Sequence, residues 1–201
     1  MRFIVLLLFL SSFAAASAQR LKFSEWKNLT TSGKLPKECH LMHSNNNLDL
    51  VKYKGKYYLA FRTAPTHYAS KKVKLYVVSS YDLDKWEYET EIGLGRDQRE
   101  PRFAVYHDTL NLYFFTGGKS MFSFEPHEML MCRSVGGHSW TAPQSTNLDG
   151  FVPWRLRERN DTVYLSAYDG RNLYNTQHRS NLRLFYTTNG TSFQPFTKRR
   201  R

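Results

Sequence analysis

The chain reads as an all-β protein of consecutive four-stranded antiparallel blades, the unit of a β-propeller, and two periodic features carry that expectation. Leu59, Leu112 and Leu165 fall 53 residues apart, each inside a short aromatic or β-branched run at 57–61, 111–115 and 163–167. A second landmark keeps the same register: Ser80 to Trp86, Ser134 to Trp140 and Thr187 to Phe193 align as hydroxyl, spacer, turn residues and aromatic, with the aromatics 54 and 53 apart. A period near 50 residues holding about four short strands marks a propeller blade.

Each element follows from local composition. In the first copy, 48–53 is broken by Lys54-Gly55, 56–62 continues as an apolar run, 74–79 follows, and a polar turn leads into 86–88. The second copy has 103–106 ending at His107-Asp108, and the third has 154–157 ending at Asn160-Asp161. β-Branched and aromatic runs split by Gly, Asn and Asp indicate hairpins. No long apolar period of 3.6 residues occurs beyond the first 18 residues. In the recurring turn a hydroxyl or carboxylate can accept backbone N–H groups, Gly or Asn takes the positive-φ position, and the aromatic tucks between sheets.

The composition is globular, with 41% hydrophobic and 23% charged residues in 201. It excludes a disordered tail, a collagen-like repeat and a disulfide-dense mini-protein, because only Cys39 and Cys132 are present. Met1-Arg2, the apolar run 3–10 and Ala16-Ser17-Ala18 form a secretory signal peptide, 1–18, with the mature chain expected from Gln19 and outside the cell. An N-terminal segment, 19–43, the blades, 44–197, and a basic tail, 198–201, complete the division. No later segment has the apolar length of a membrane helix, so no membrane partner is expected. Asn28, Asn160 and Asn189 head N-glycosylation sequons. Cys39 and Cys132 form either one disulfide or two buried thiols. The formal charge of +12 is either a solvated face or a surface for glycans and acidic polysaccharides; nucleic acid is not expected for a secreted chain. No metal or cofactor is expected, since the seven histidines are scattered and no phosphate loop is present.

The turn pattern resembles the Asp-box, or bacterial-neuraminidase repeat, and the region from Cys39 to Phe196 resembles sialidase-like β-propellers. Thr187 to Phe193 matches best; Ser134 to Trp140 lacks the Asp and Ser80 to Trp86 lacks the Gly. His43 to Arg62 is similar to that group's first blade, and Val152-Pro-Trp-Arg155 to the start of a later one. Arg99-Glu-Pro101 resembles an Arg-Asp-Pro element found there and in five-bladed furanosidase propellers. The resemblance implies a secreted glycoprotein that binds, and in an active relative hydrolyses, glycans.

Propeller ligands sit over the central channel, where the innermost strands begin. Ten residues before each landmark leucine stand Asp49, Arg102 and Arg155, charged residues in equivalent places. In a sialidase-like site, Arg62, Arg99, Arg102 and Arg155 would grip a substrate carboxylate and Asp49 would be the acid/base. Arg62-Thr-Ala-Pro65 stands where sialidases carry Arg-Ile-Pro. In a general glycosidase, Asp49 and Glu100 are the natural carboxylate pair, with Glu158 or Asp169 as a third. The alternative is a hub salt-bridge network in which Asp49 pairs with Arg102 or Arg155, and a matrix or structural protein that holds acidic polysaccharide without turnover. Three blades are fewer than the four to eight that close a ring. The expectation therefore divides among part of a longer propeller, a shortened relative, and a homodimer completing six blades.

Overall fold

The computed structural model describes residues 22–23, 25–26, 28–29, 33–171 and 181–196. The expected signal peptide, 1–18, and basic tail, 198–201, lie outside the described residues. Among the described residues, twelve strands form three four-stranded antiparallel sheets. Blade I contains β1 (Ser44–Tyr53), β2 (Lys56–Ala64), β3 (Lys74–Ser80) and β4 (Glu87–Ile92). Blade II contains β5 (Gln98–Tyr106), β6 (Thr109–Thr116), β7 (Met129–Ser134) and β8 (Gln144–Ser145). Blade III contains β9 (Phe151–Arg159), β10 (Thr162–Asp169), β11 (Leu182–Thr187) and β12 (Gln194–Pro195). In each sheet the strands pair in chain order, and the first strands meet one another, β1 on β5 and β5 on β9. Those three strands line the hub. Among the described residues no helix is long and apolar enough to cross a membrane.

The 53-residue period is a burial period. Leu59, Leu112 and Leu165 occupy equivalent places on β2, β6 and β10, and each is 0% exposed. Burying a leucine contributes about 1.5–3 kcal/mol, so the position is costly to vary. Between blades I and II, Ala60, Leu75 and Val77 meet Phe103, Leu112 and Phe114. Between blades II and III, Tyr113, Met129 and Met131 meet Leu156, Leu165 and Phe185. The opposite face of blade I, with Leu59, Phe61, Tyr76 and Val78, is roofed by Leu29, Leu35, Cys39 and Leu41 of the N-terminal segment. That roof is tied down by the Met42 N–H on Thr63 Oγ1 at 2.8 Å and by a Lys34–Asp84 ion pair at 2.7 Å.

These layers decide the cysteine question against a bridge. Cys39 belongs to the roof and Cys132 to the interface of blades I and II, so the sheet of blade I stands between them. Both are free buried thiols, and burial pushes each up to about 12.

The recurring turns are built as their residue types require. In blade I, Ser80 Oγ accepts the N–H groups of Asp82 at 3.2 Å and Leu83 at 2.9 Å. The Asp82 carboxylate accepts those of Asp84 at 2.8 Å and Lys85 at 2.9 Å. These bonds, that from Lys85 above all, hold the Asp82 carboxyl down at about 2. In blade II, Ser134 Oγ accepts Gly137 N–H at 3.1 Å. In blade III, Thr187 Oγ1 accepts Gly190 N–H at 3.1 Å, and Asn189 Oδ1 takes the role of Asp82 with Ser192 N–H at 2.8 Å. The left-handed place falls on Gly137 and Gly190 but on Leu83 in blade I, at φ 64°. The closing aromatics Trp86 and Phe193 are buried.

The second and third turns also receive the blade before them. Tyr53 of blade I accepts the Gly136 N–H of the second turn at 3.3 Å and donates to the Asp108 carbonyl at 2.6 Å. Its equivalent in blade II, Tyr106, donates to the Thr188 carbonyl of the third turn, and Tyr113 donates to the Gly190 carbonyl at 2.7 Å. The hydroxyl-cradled turn is thus both a loop closure and an inter-blade latch.

Candidate functional site

The hub mouth lies where β1, β5 and β9 begin, and bulges shape all three beginnings. Pairing slips between Asn46 and Leu48 on β1, between Arg99 and Arg102 on β5, and opposite Ser166/Ala167 on β9. Asn47 and Glu100 stand at equivalent bulge positions with positive φ of 46° and 51°. A non-glycine residue held there costs on the order of 1–3 kcal/mol, a strain that gathers at functional sites. The two strained residues touch: Asn47 Nδ2 donates to Glu100 Oε1, while Arg102 holds the other carboxylate oxygen.

Beside them, Asp97 is sealed at 0% exposure between two guanidiniums. Arg62 reaches Asp97 Oδ1 at 2.9 Å, Asn46 Oδ1 at 3.4 Å and the Tyr68 carbonyl at 3.0 Å. Burial lowers the Arg62 guanidinium from its ordinary range, and the Asp97 charge opposes that shift. Arg99 pairs with Asp97 Oδ2 through Nε and donates to the His67 carbonyl at 2.6 Å through Nη2. Its guanidinium also lies 4.9 Å from the centre of the Phe124 ring.

A cleft of about 200 Å³ opens here, lined by His67, Arg99, Glu100, Phe124, Val152 and Tyr168, with Phe115 beneath. The segment between β6 and β7 supplies Phe124. It is folded back by the Gly118 N–H on the Ser123 carbonyl at 2.9 Å, and a Cβ at Gly118 would fall 1.8 Å from Ser123 Oγ. The cleft therefore joins aromatic walls to one carboxylate and one guanidinium. Three guanidiniums, Arg62, Arg99 and Arg102, stand against three carboxylates, Asp49, Asp97 and Glu100, so the mouth is charged but balanced.

The sequence-derived candidates separate into those the structure brings together and those it sets apart. Arg99 and Glu100 share the cleft. Arg62 does not serve as a substrate grip: it is 0% exposed and all its bonds go to protein, so a ligand cannot reach it. Asp49 is a strut, its Oδ2 accepting the Phe103 N–H of the next inner strand at 2.8 Å. Arg102 does the same one blade on, with Nε on the Trp154 carbonyl at 2.8 Å. Asp49 therefore pairs with backbone rather than with Arg102 or Arg155. Arg155 is exposed on β9 and lies outside the cleft lining. Glu158 accepts the Asp161 N–H at 3.2 Å, and Asp169 is bound by Arg171 at 2.6 Å, which holds its carboxyl below the usual range. Asn28, Asn160 and Asn189 are exposed, as a glycan acceptor must be. Among the described residues no three of His, Cys, Asp and Glu gather as a metal site.

Sequence reasoning missed Asp97, His67, Phe124 and Tyr168. Asp97 has Ser44 and Gly150 at the equivalent places, so periodicity gave no signal for it. Its nearness to Arg99 in the chain was the only available cue.

The same architecture occurs in solved glycoside hydrolases. A glycoside hydrolase family 32 β-fructofuranosidase of Bombyx mori superposes with TM-score 0.54 at 14% identity, over 76% of this chain and 34% of that one. A family 117 glycoside hydrolase of Zobellia galactanivorans gives 0.55 at 14%, over 81% and 48%. A sucrose-6-phosphate hydrolase from Lactobacillus gasseri gives 0.51 at 14%, over 77% and 33%. At such identities the likeness shows the fold, that of glycoside hydrolase β-propellers, and the chain spans a third to a half of those chains' length. No family model matches the chain, and no curated protein matches it.

Proposed function

We propose that the protein is a secreted glycoprotein that binds an acidic sugar unit of a glycan in the hub cleft without cleaving it. The observation that carries this reading is Glu100, strained on its bulge between Asn47 and Arg102 at the rim of an aromatic cleft that also presents Arg99. Aromatic walls take the apolar face of a sugar ring, and Glu100 and Arg99 take its hydroxyl or carboxylate groups. Arg99 Nη1 carries no bond among the described residues, so its two N–H groups are left for a ligand. Hydrolysis by the mechanism most glycosidases use needs two carboxyl groups flanking the scissile bond. Glu100 is the one carboxylate among the residues lining the cleft, and the equivalent place on blade I holds the amide of Asn47. An amide neither gives nor takes a proton in the neutral range.

Kinship with sialidase-like propellers is supported by the three hydroxyl-cradled turns. With Arg62 buried, the grip on a sugar carboxylate would fall to Arg99 alone. The test is a glycan array with a matched panel of chromogenic glycosides. Wild-type protein is expected to retain oligosaccharides containing uronic or sialic acid and to release no chromophore. Glu100→Gln is expected to weaken binding about tenfold, and Arg99→Met to remove the preference for acidic over neutral sugars. Turnover of any glycoside, or binding indifferent to both substitutions, overturns the proposal.

A further inference from the structure

The junction of blades II and III differs from that of blades I and II at one repeat position. Asn111 stands where the first blade has Tyr58, 53 residues earlier. Tyr58 fills its junction: its hydroxyl meets the Gly136 carbonyl at 3.5 Å, and a Cβ on Gly137 would fall 1.8 Å from that hydroxyl. A Cβ on the equivalent Gly190 would meet nothing nearer than the Tyr113 hydroxyl at 3.6 Å, with Asn111 Oδ1 at 4.0 Å. The shorter side chain leaves a cleft of about 130 Å³, lined by Tyr106, His107, Thr109, Asn111, Arg133 and Asn189. It lies where β5 ends, at the far end of that strand from the hub mouth. Two groups in its wall have no protein partner among the described residues. Arg133 Nε is buried and unbonded, and Nη2 reaches only Met131 Sδ at 3.8 Å. Asn111 is 2% exposed; its Nδ2 donates to the Thr109 and Ala104 carbonyls, while its Oδ1 accepts nothing. Buried polar groups are normally paired, so orphans in a cleft wall point to a ligand. An open acceptor beside a guanidinium suits a ligand that both donates and accepts, as a sugar does, and disfavours a simple anion. The Tyr106 and His107 rings, stacked with centres 4.0 Å apart, add an apolar surface.

A sugar acceptor stands in the same wall. Asn189 heads the sequon Asn189-Gly-Thr191 and is exposed. Its Oδ1 accepts the N–H groups of Thr191 at 3.0 Å and Ser192 at 2.8 Å, while its Nδ2 carries no bond among the described residues. Linkage through Nδ2 therefore leaves the turn intact. We propose that Asn189 carries an N-linked glycan whose first N-acetylglucosamine seats in this cleft. The ring lies on His107 and is bonded by Arg133 and Asn111, so that it seals the junction Tyr58 seals one blade earlier. In the transfer, Nδ2 loses one proton and bonds the anomeric carbon. That carbon's bond to the phosphate oxygen of a lipid-linked pyrophosphate sugar donor breaks, and the lipid pyrophosphate leaves with the electron pair. A tethered sugar has a high effective concentration at the cleft, so few contacts suffice to hold it. The inference rests on the reading of the chain as secreted, and not on what the hub cleft binds.

The experiment is release of N-glycans from the native secreted protein by an amidase that cleaves at the Asn–sugar bond, followed site by site by mass spectrometry. Asn160, exposed at the tip between β9 and β10, is the reference. Both sites are expected to be occupied, with release at Asn189 slower than at Asn160 by about tenfold or more. After unfolding, the two rates are expected to agree. Arg133→Met, which removes the donors, and Asn111→Tyr, which rebuilds the filled junction of the first blade, are each expected to abolish the difference. Circular dichroism confirms the fold of each variant; Arg133 is partly exposed, so its variant serves where Asn111→Tyr does not fold. A glycan on Asn160 with none on Asn189 overturns this proposal alone, whereas none on any sequon overturns the secreted reading with it. Equal rates in the native protein overturn it too. So does slow release that persists in Arg133→Met, which would assign the protection to the turn rather than the cleft.

Discussion

The buried charge cluster at the hub is the least replaceable part of the molecule. Arg62 and Asp97 are both 0% exposed, and Arg99 leans on the same carboxylate. Removing one member of a buried ion pair leaves an uncompensated charge and costs about 3–5 kcal/mol. Asp97→Asn is therefore expected to lower the unfolding free energy by about that amount in a urea titration; a loss below about 1 kcal/mol would mean the guanidiniums find other partners. The two thiols give a second test. Buried and pushed up to about 12, Cys39 and Cys132 should resist alkylation in the native protein at neutral pH, and two equivalents should react once it is unfolded. Any thiol missing from the unfolded count would contradict the free-cysteine assignment. Because the folded thiols hold their protons above the usual value of 9.0, their contribution to stability is full below about 9 and declines as the pH rises through about 12. None of this could be read from spacing. Cys39 and Cys132 are separated by a sheet, and Arg62 reaches Asp97 across two strands, so both facts exist only once the blade is folded.

Strands and turns were far more legible. Each landmark leucine sits in the second strand of its blade because that strand is flanked on both sides; Leu112 and Leu165 meet the neighbouring sheet and Leu59 meets the N-terminal roof. Each hydroxyl in the turn motif does accept the backbone N–H groups its position suggests. The motif did not show that the turns latch the blades together, since the tyrosines that meet them lie 77 to 83 residues away. Tyr113→Phe deletes the bond to the Gly190 carbonyl in a buried setting and is expected to cost about 1–2 kcal/mol. Tyr164→Phe, on blade III, is expected to change the stability by less than about 0.5 kcal/mol. Equal effects of the two in thermal or urea unfolding would contradict the latch. Asp49 shows what the repeat alone does not convey. Its charge is periodic with Arg102 and Arg155, and at Asp49 and Arg102 the position is a strut to the next inner strand.

At the scale of the whole molecule, the three described blades share one hub, and the cleft at its mouth is assembled from several blades and two intervening segments. Arg99 and Glu100 come from β5, Val152 and Tyr168 from blade III, and His67 and Phe124 from the segments that follow β2 and β6. Such a site answers to the stacking of the blades, which is why Arg99 and Glu100 of β5 were recognisable in the sequence while Tyr168, His67 and Phe124 were not. The measurement that bears most directly on the account is amide hydrogen exchange with and without the acidic oligosaccharide best retained on the array. Protection is expected at the beginnings of β5 and β9 and around Phe124, and is expected to vanish in Glu100→Gln. Protection confined to the outer strands or to the basic face of β9, with the hub mouth unchanged, would contradict it.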